Sequence, residues 1–481
     1  MIVKNFLNHL YSEVFSVRKQ EVSKIFVLAL MLVLIIYVYS IQRGIRDSLV
    51  VIHLGAEFII AIKILGVVPF AFLFLLLYFK LKNYFKTTRI FHLSNFFFLS
   101  FFVFFTFILY PKCQDSHIKL IGDLNGFPII HFLKVMTENW SLTLLFIFSE
   151  LWANVMLNFL FWQIVNQIFT FEQGRRLYPI FGLVSQFGLI LAGLVSMQIG
   201  KVQILWQKSL SYLSLSVLIA GALLSVSFVY LVKMNNLKEL INKTRQGRDE
   251  NKMSVFESIK YVFKSKYLIL LTVLVLCYGV SISITETVWK KSIGSTYPLH
   301  GDYLSFMGEI QLYLGIATII SMLFGSYFIK KMSWKSSAYV TPMITLATGA
   351  VFLFLLSLKE AFQMNELLPQ FSFVFLYLGA GQYVLSKSSK YSFFDVTKEL
   401  SYIPLDQSLK SRGKASVELV GGSFGKSLGS LIQLILLSTF VGSDLFSLSP
   451  YLFCFLILIG LIWIVSLNRL SRKLEGLIEM K

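Results

Sequence analysis

The chain has 481 residues, 56 % of them hydrophobic and 16 % aromatic, and only 14 % charged. With a mean hydropathy of +0.71 it is too apolar to be a water-soluble protein. The formal net charge of +19 would suit a nucleic-acid partner, but where the basic residues stand along the chain assigns them to membrane topology instead.

Residues 1–23 are too polar and interrupted for a signal-peptide core and carry no cleavage pattern, so they read as a short cytoplasmic lead-in. Apolar runs of about 20 residues, the length of a bilayer-crossing helix, then recur. They lie near 24–42, 57–79, 90–110, 141–168, 178–199, 211–232, 267–289, 308–329, 337–357, 371–393, 415–441 and 449–468. The expected fold is therefore an all-α polytopic membrane protein of twelve transmembrane helices. Between the second and third runs stand Lys80, Lys82, Lys86 and Arg89 with no acid. Between the sixth and seventh stand Lys238, Lys243, Arg245, Arg248, Lys252, Lys260, Lys264 and Lys266, and between the eighth and ninth Lys330, Lys331 and Lys335. The intervening connections are near neutral, as where Lys112, Lys119 and Lys134 balance Asp115, Asp123 and Glu138. This alternation is the positive-inside pattern and places both termini in the cytoplasm. The long basic connection at 234–266 separates an N-terminal six-helix half, 24–233, from a C-terminal one, 267–468, with a tail at 469–481. Two such halves are the usual build of a secondary transporter, whose substrate sits between them near mid-membrane.

A charge at the bilayer centre costs roughly 2.5–3.5 kcal/mol on insertion scales, so it usually faces a polar cavity and marks function. Four stand out: Lys63 in the second span, Glu150 in the fourth, Glu286 in the seventh and Lys426 in the eleventh. Each has polar company at helical spacing. Glu150 is followed by Asn154 and Asn158, and Gly279, Ser283, Glu286 and Lys290 form a stripe on the seventh span. Arg43 and Arg46, beside Asp47, stand at the expected outer end of the first span, either capping a helix end or drawing anions into the mouth. Counted along each span with the amino terminus inside, all four charges fall between the outer surface and mid-membrane. Ammonium groups are good partners for phosphate, so one cavity for a phosphorylated or carboxylated solute is expected. The blander alternative is that the Lys–Glu pairs are structural bridges. Glu286 and Lys63 are also near enough to span ends to snorkel.

The stretch "VELVGGSFGKSLGSLIQ" around Lys426 invites a phosphate-binding P-loop, but Gly421 leaves three residues before Gly425-Lys426 where that motif needs four. The glycines at 421, 425 and 429 instead form a doubled G-x-x-x-G ridge suited to close helix packing, with Lys426 on the adjacent stripe with Gly422, Gly429 and Gln433. Cys113, Cys277 and Cys454 match no metal or redox spacing, and the six histidines form no ligand set, so no metal and no cofactor is expected.

At these same residues the chain resembles the nucleotide transporter family, the ATP/ADP translocases of plastids, obligate intracellular bacteria and microsporidia. "GAEFIIAIKILGVVP" carries the family lysine at Lys63, and "SELWANVMLNFLFWQIVNQI" its carboxylate at Glu150. "SISITETVWKKSIGSTYPLHGDYLSFMG" carries the family glutamate at Glu286, and "LSKSSKYSFFDVTKELSYIPLDQSLKSRGKAS" runs on to Lys426. The resemblance implies a fold like the major facilitator superfamily and transport of ATP, ADP or another nucleotide, by exchange or with protons or phosphate as co-substrate. It implies no hydrolysis, no cofactor and no nucleic-acid partner, only nucleotide and membrane lipid. Lys63 and Lys426 would hold phosphates, Arg43 and Arg46 would assist, and Glu150 and Glu286 would gate or couple. Asn154 and Ser283 would line the substrate site, and Trp152, Phe161 and Tyr178 are candidates to stack the base. Departures mark a divergent paralogue: Arg43-Gly44-Ile45-Arg46-Asp47 has lost one family acid, Gln167 replaces another, Ser283 stands for an asparagine and Leu428 for a glycine. Another phosphorylated or anionic metabolite, such as a dinucleotide cofactor, remains the alternative cargo. The plastid transit peptide is missing, which favours a bacterial inner membrane or a parasite plasma membrane.

Overall fold

The structure, a computed structural model, describes residues 21–113, 128–169, 171–202, 205–234, 260, 262–263, 265–362, 371–405, 413–440 and 442–479. The lead-in expected at 1–23 and the basic linker at 234–266 lie largely outside the described residues. In chain order the helices are α1 (Val22–His53), α2 (Ala56–Ala61), α3 (Val68–Tyr84), α4 (Thr87–Phe104), α5 (Tyr110–Cys113), α6 (Pro128–Glu138), α7 (Trp140–Trp152), α8 (Trp162–Ile168), α9 (Phe171–Lys201) and α10 (Trp206–Lys233). They continue as α11 (Lys266–Thr296), α12 (His300–Lys331), α13 (Trp334–Ala361), α14 (Phe371–Ser389), α15 (Asp395–Ser401), α16 (Lys414–Val417), α17 (Ser423–Thr439) and α18 (Ser449–Glu479). Several spans are interrupted by π-helical turns, at Ile62–Val67, Phe105–Leu109, Ala153–Phe161, Lys390–Phe394 and Glu418–Gly422.

Ten helical runs are long and apolar enough to cross a bilayer, with Phe424–Thr439 as a shorter apolar helix. The expected spans at 371–393 and 415–441 are the two that do not reach that measure. They carry Lys387 and Lys426, and π turns break both. A membrane protein can keep such polar stretches only where protein or a water-filled cavity receives them.

The chain divides into two compact units: Met1–Thr244 with Tyr297–Ile319, and Arg245–Thr296 with Ile320–Lys481. In the first unit α1 is the hub, packed against α7, α9 and α10, with Leu28, Met31, Ile35, Val38 and Ile41 fully buried. Backbones approach closely because glycine has no Cβ. On α9 a Cβ at Gly193 would stand 2.6 Å from the Gly308 carbonyl oxygen, and one at Gly200 would stand 2.5 Å from that of Gly301. That contact holds the stretch Tyr297–Ile319 to the first unit. Gly55, at φ +99° between α1 and α2, makes a turn that other residues resist.

In the second unit α11 is the hub, packed against α14, α17 and α18. The expected glycine ridge is there: a Cβ on Gly425 would lie 3.2 Å from Gly279 Cα, and one on Gly429 would lie 2.7 Å from Ser283 Cβ. Backbone cannot give way as a side chain can, so Gly425→Leu is expected to cost at least the upper end of the overpacking range of about 1–3 kcal/mol. A lowered unfolding temperature of the purified protein checks this.

Candidate functional site

In the first unit the fourth expected span begins as α7 and then widens into the π turn Ala153–Phe161. Such widened turns often accompany functional positions. Glu150 stands three residues before it. Its Oε1 accepts a hydrogen bond from Arg46 Nη2 at 2.5 Å, so the partner comes from α1. Arg46 is 1 % exposed, lies 3.4 Å from Asp47 through Nε, and has its guanidinium 4.3 Å from the centre of the Phe146 ring. Arg43 reaches the same aspartate at 3.7 Å. α1 runs on to His53, so neither arginine caps a helix end. Both sit inside the span, in a cluster of two cations and two carboxylates.

Lys63 is half-buried on the π turn Ile62–Val67, which packs against α7. One turn on, a Cβ at Gly66 would stand 2.9 Å from Ile147 Cδ1, so the segment carrying Lys63 rests on the helix carrying Glu150. Asn154 and Asn158 are exposed, the second donating to the first at 3.4 Å. Of the candidate base-stacking rings, Trp152 and Phe161 are fully buried. The Trp152 indole donates to the Ile35 carbonyl at 3.3 Å, so these two rings are core. Tyr178 is half-buried, donates to Asn166 and packs edge-on to Trp162.

In the second unit Glu286 is shared by two lysines. Its Oε1 lies 3.1 Å from Lys290, one turn on, and its Oε2 lies 3.3 Å from Lys387 of α14. The Lys387 ammonium also donates to the Tyr383 hydroxyl at 2.7 Å and sits 3.9 Å from the centre of that ring. Trp289 also lies against Tyr383, ring centres 4.8 Å apart and tilted by 32°. The neighbouring Lys291 points elsewhere, to Asp444 at 2.6 Å. Burial pushes the Asp444 carboxyl up, but hydrogen bonds from Lys291 and Ser447 outweigh it and hold the group below its ordinary value.

Ser283 does not join Glu286. It is buried in the α11–α17 seam, with its hydroxyl 3.2 Å from that of Ser430 and its carbonyl accepting from Gln433 at 3.4 Å. Lys426 stands outside the seam, on an adjacent side of α17. It is exposed, as is Gly422 one turn earlier, and it makes no hydrogen bond or ion pair with any described residue. The stripe expected to join it to Gly429 and Gln433 thus divides, those two facing α11.

Two features escaped the sequence reading. Lys387 drew no attention because it stands six residues from the end of the expected run 371–393, yet the helical path continues through a π turn to Ser401. Near it, Asp395 binds Lys390 at 2.7 Å and Lys398 at 3.7 Å, and Lys398 binds Glu418 at 2.5 Å. This chain ties α15 to the π turn Glu418–Gly422 that leads into α17. The i, i+3 spacing of Asp395 and Lys398 was a legible hint of it.

Charged clusters within two compact bundles of membrane-length helices, each organised around its first span, describe a polytopic helical membrane protein. Solved structures agree on the fold. A bacterial homologue of the iron transporter ferroportin in an inward-facing state matches with a TM-score of 0.61 at 14 % identity, covering 94 % of this chain and 99 % of that one. The xylose transporter XylE from E. coli matches with a TM-score of 0.56 at 11 % identity, covering 92 % and 95 %. Sequence takes the assignment further. Residues 3–474 match the family described as the TLC ATP/ADP transporter. ADP,ATP carrier protein 3 of Rickettsia bellii is 33 % identical over 98 % of both chains. ADP,ATP carrier protein 4 of Rickettsia typhi is 31 % identical over 99 % of this chain and 96 % of its own. The chain belongs to the TLC ATP/ADP transporter family and is a multi-pass integral membrane protein.

Proposed function

We propose that the protein moves nucleotides across a membrane by alternating access, exchanging one adenine nucleotide for another, with Lys63 and Lys426 holding phosphates. The observation that carries the reading is Lys426, an exposed ammonium without a partner among the described residues and the one charged side chain on α17. A cation at such a position costs free energy unless an anion or water receives it, and phosphate oxygens are suitable acceptors. Glu150 and Glu286 then hold neighbouring cations in place between cargoes, and exchange of phosphate for carboxylate returns the site to its resting state. The family assignment and the names of the Rickettsia relatives support adenine nucleotides as the cargo. The basic connections support cytoplasmic termini.

The test is counterflow in proteoliposomes. Vesicles preloaded with ADP are expected to take up labelled ATP, and the rate is expected to fall to background when the lumen is empty. Uptake into empty vesicles driven by an imposed proton gradient would replace exchange by symport. No uptake of any nucleotide under either condition would overturn the assignment.

A further inference from the structure

The two units carry the same ion pair with the charges inverted. In the first, Arg46 of the opening span holds Glu150 of the fourth. In the second, Glu286 of the opening span holds Lys387 of the corresponding tenth. The residue on the later span stands three positions before a π turn in both cases: Glu150 before Ala153–Phe161 and Lys387 before Lys390–Phe394. Halves of such transporters are structural repeats, so these two positions correspond. Lys387 nonetheless differs from an inert half of a buried pair. Its carboxylate is shared, since Lys290 already holds the other oxygen of Glu286. Of the two lysines Lys387 is the more accessible, with a side chain 11 % exposed against 2 % for Lys290. The Tyr383 ring and hydroxyl hold its ammonium from the side, which keeps the charge in place when Glu286 lets go.

We propose that Lys387 is a phosphate-binding residue that exchanges Glu286 for a phosphate oxygen of the cargo, with Lys290 retaining the displaced carboxylate. The proposal rests on the nucleotide-transport reading and adds to it a third ammonium and a release step. No bond to hydrogen need break: one charge-assisted hydrogen bond replaces another, and Glu286 stays ionised beside Lys290. Departure reverses the exchange, the carboxylate displacing the phosphate.

Counterflow kinetics with labelled ADP test it. Lys387→Gln leaves Glu286 with Lys290, so a purely structural Lys387 predicts an unchanged KM. The proposal expects KM for ADP to rise at least tenfold, and Lys387→Arg to restore it within threefold, because a guanidinium also binds phosphate. Glu286→Gln removes the competitor, so KM is expected to fall while the maximal rate drops as release slows. A merely structural glutamate would raise KM or reduce insertion. If Lys387→Gln does not insert, the direction of the KM change in Glu286→Gln decides the matter. An active wild type with unchanged KM in Lys387→Gln, or a raised KM in Glu286→Gln, overturns the role of Lys387 alone. A wild type that carries no nucleotide overturns the transport reading, and this role with it.

Discussion

Lys426→Ala is expected to lower ATP/ADP counterflow about ten- to a hundredfold while the protein inserts and folds as before. A hydrogen bond to a charged group contributes about 1.5–3 kcal/mol, and an ammonium that loses its phosphate forfeits this at each encounter. Folding is spared because Lys426 has no described partner to abandon. The helix is held by its other face, where Gly421, Gly425 and Gly429 meet Val275, Gly279 and Ser283 of α11. Lys426→Arg is expected to retain much of the activity. Uptake rates normalised to the amount of protein in the vesicles provide the measurement, and wild-type kinetics in Lys426→Ala would overturn the phosphate-holding role on which the proposed function rests.

Glu150→Ala is expected to abolish transport and, unlike the lysine variant, to weaken the fold. Removing one partner of a buried ion pair costs about 3–5 kcal/mol, because a buried charge is left behind. Here the Glu150 side chain is 21 % exposed and Asp47 stays 3.4 Å from Arg46, so the loss should fall at or below the lower end and insertion should survive. Glu150→Gln separates the two effects. Its carbonyl oxygen can still accept from Arg46, so the unfolding temperature should recover most of the way, while transport should not if the negative charge itself is used. Recovery of transport in Glu150→Gln would make the pair a lock between α1 and α7.

Much of this was open to sequence reasoning because lipid makes charge costly. Lys63, Glu150, Glu286 and Lys426 stood out against apolar surroundings, and the same four carry the family resemblance. The glycine ridge was legible for a similar reason, since three glycines one turn apart in an apolar run have few uses besides close packing. Arg43 and Arg46 were misplaced at a helix end because hydropathy fades where polar residues cluster, whereas α1 continues to His53. Trp152 and Phe161 could not be sorted from lipid-facing rings, since 16 % of the chain is aromatic and only packing tells them apart.

The sequence by itself determined that the chain lives in a membrane, that it crosses many times, and which charges are costly to bury in lipid. Tertiary structure alone decided who meets whom. Arg46 and Glu150 are separated by 104 positions, and the meeting of Glu286 with Lys387 is likewise a matter of which helices lie side by side. Desolvation is a property of one residue in its own stretch of chain and can be read locally. An ion pair belongs to two helices at once, and its partners are fixed only when those helices pack.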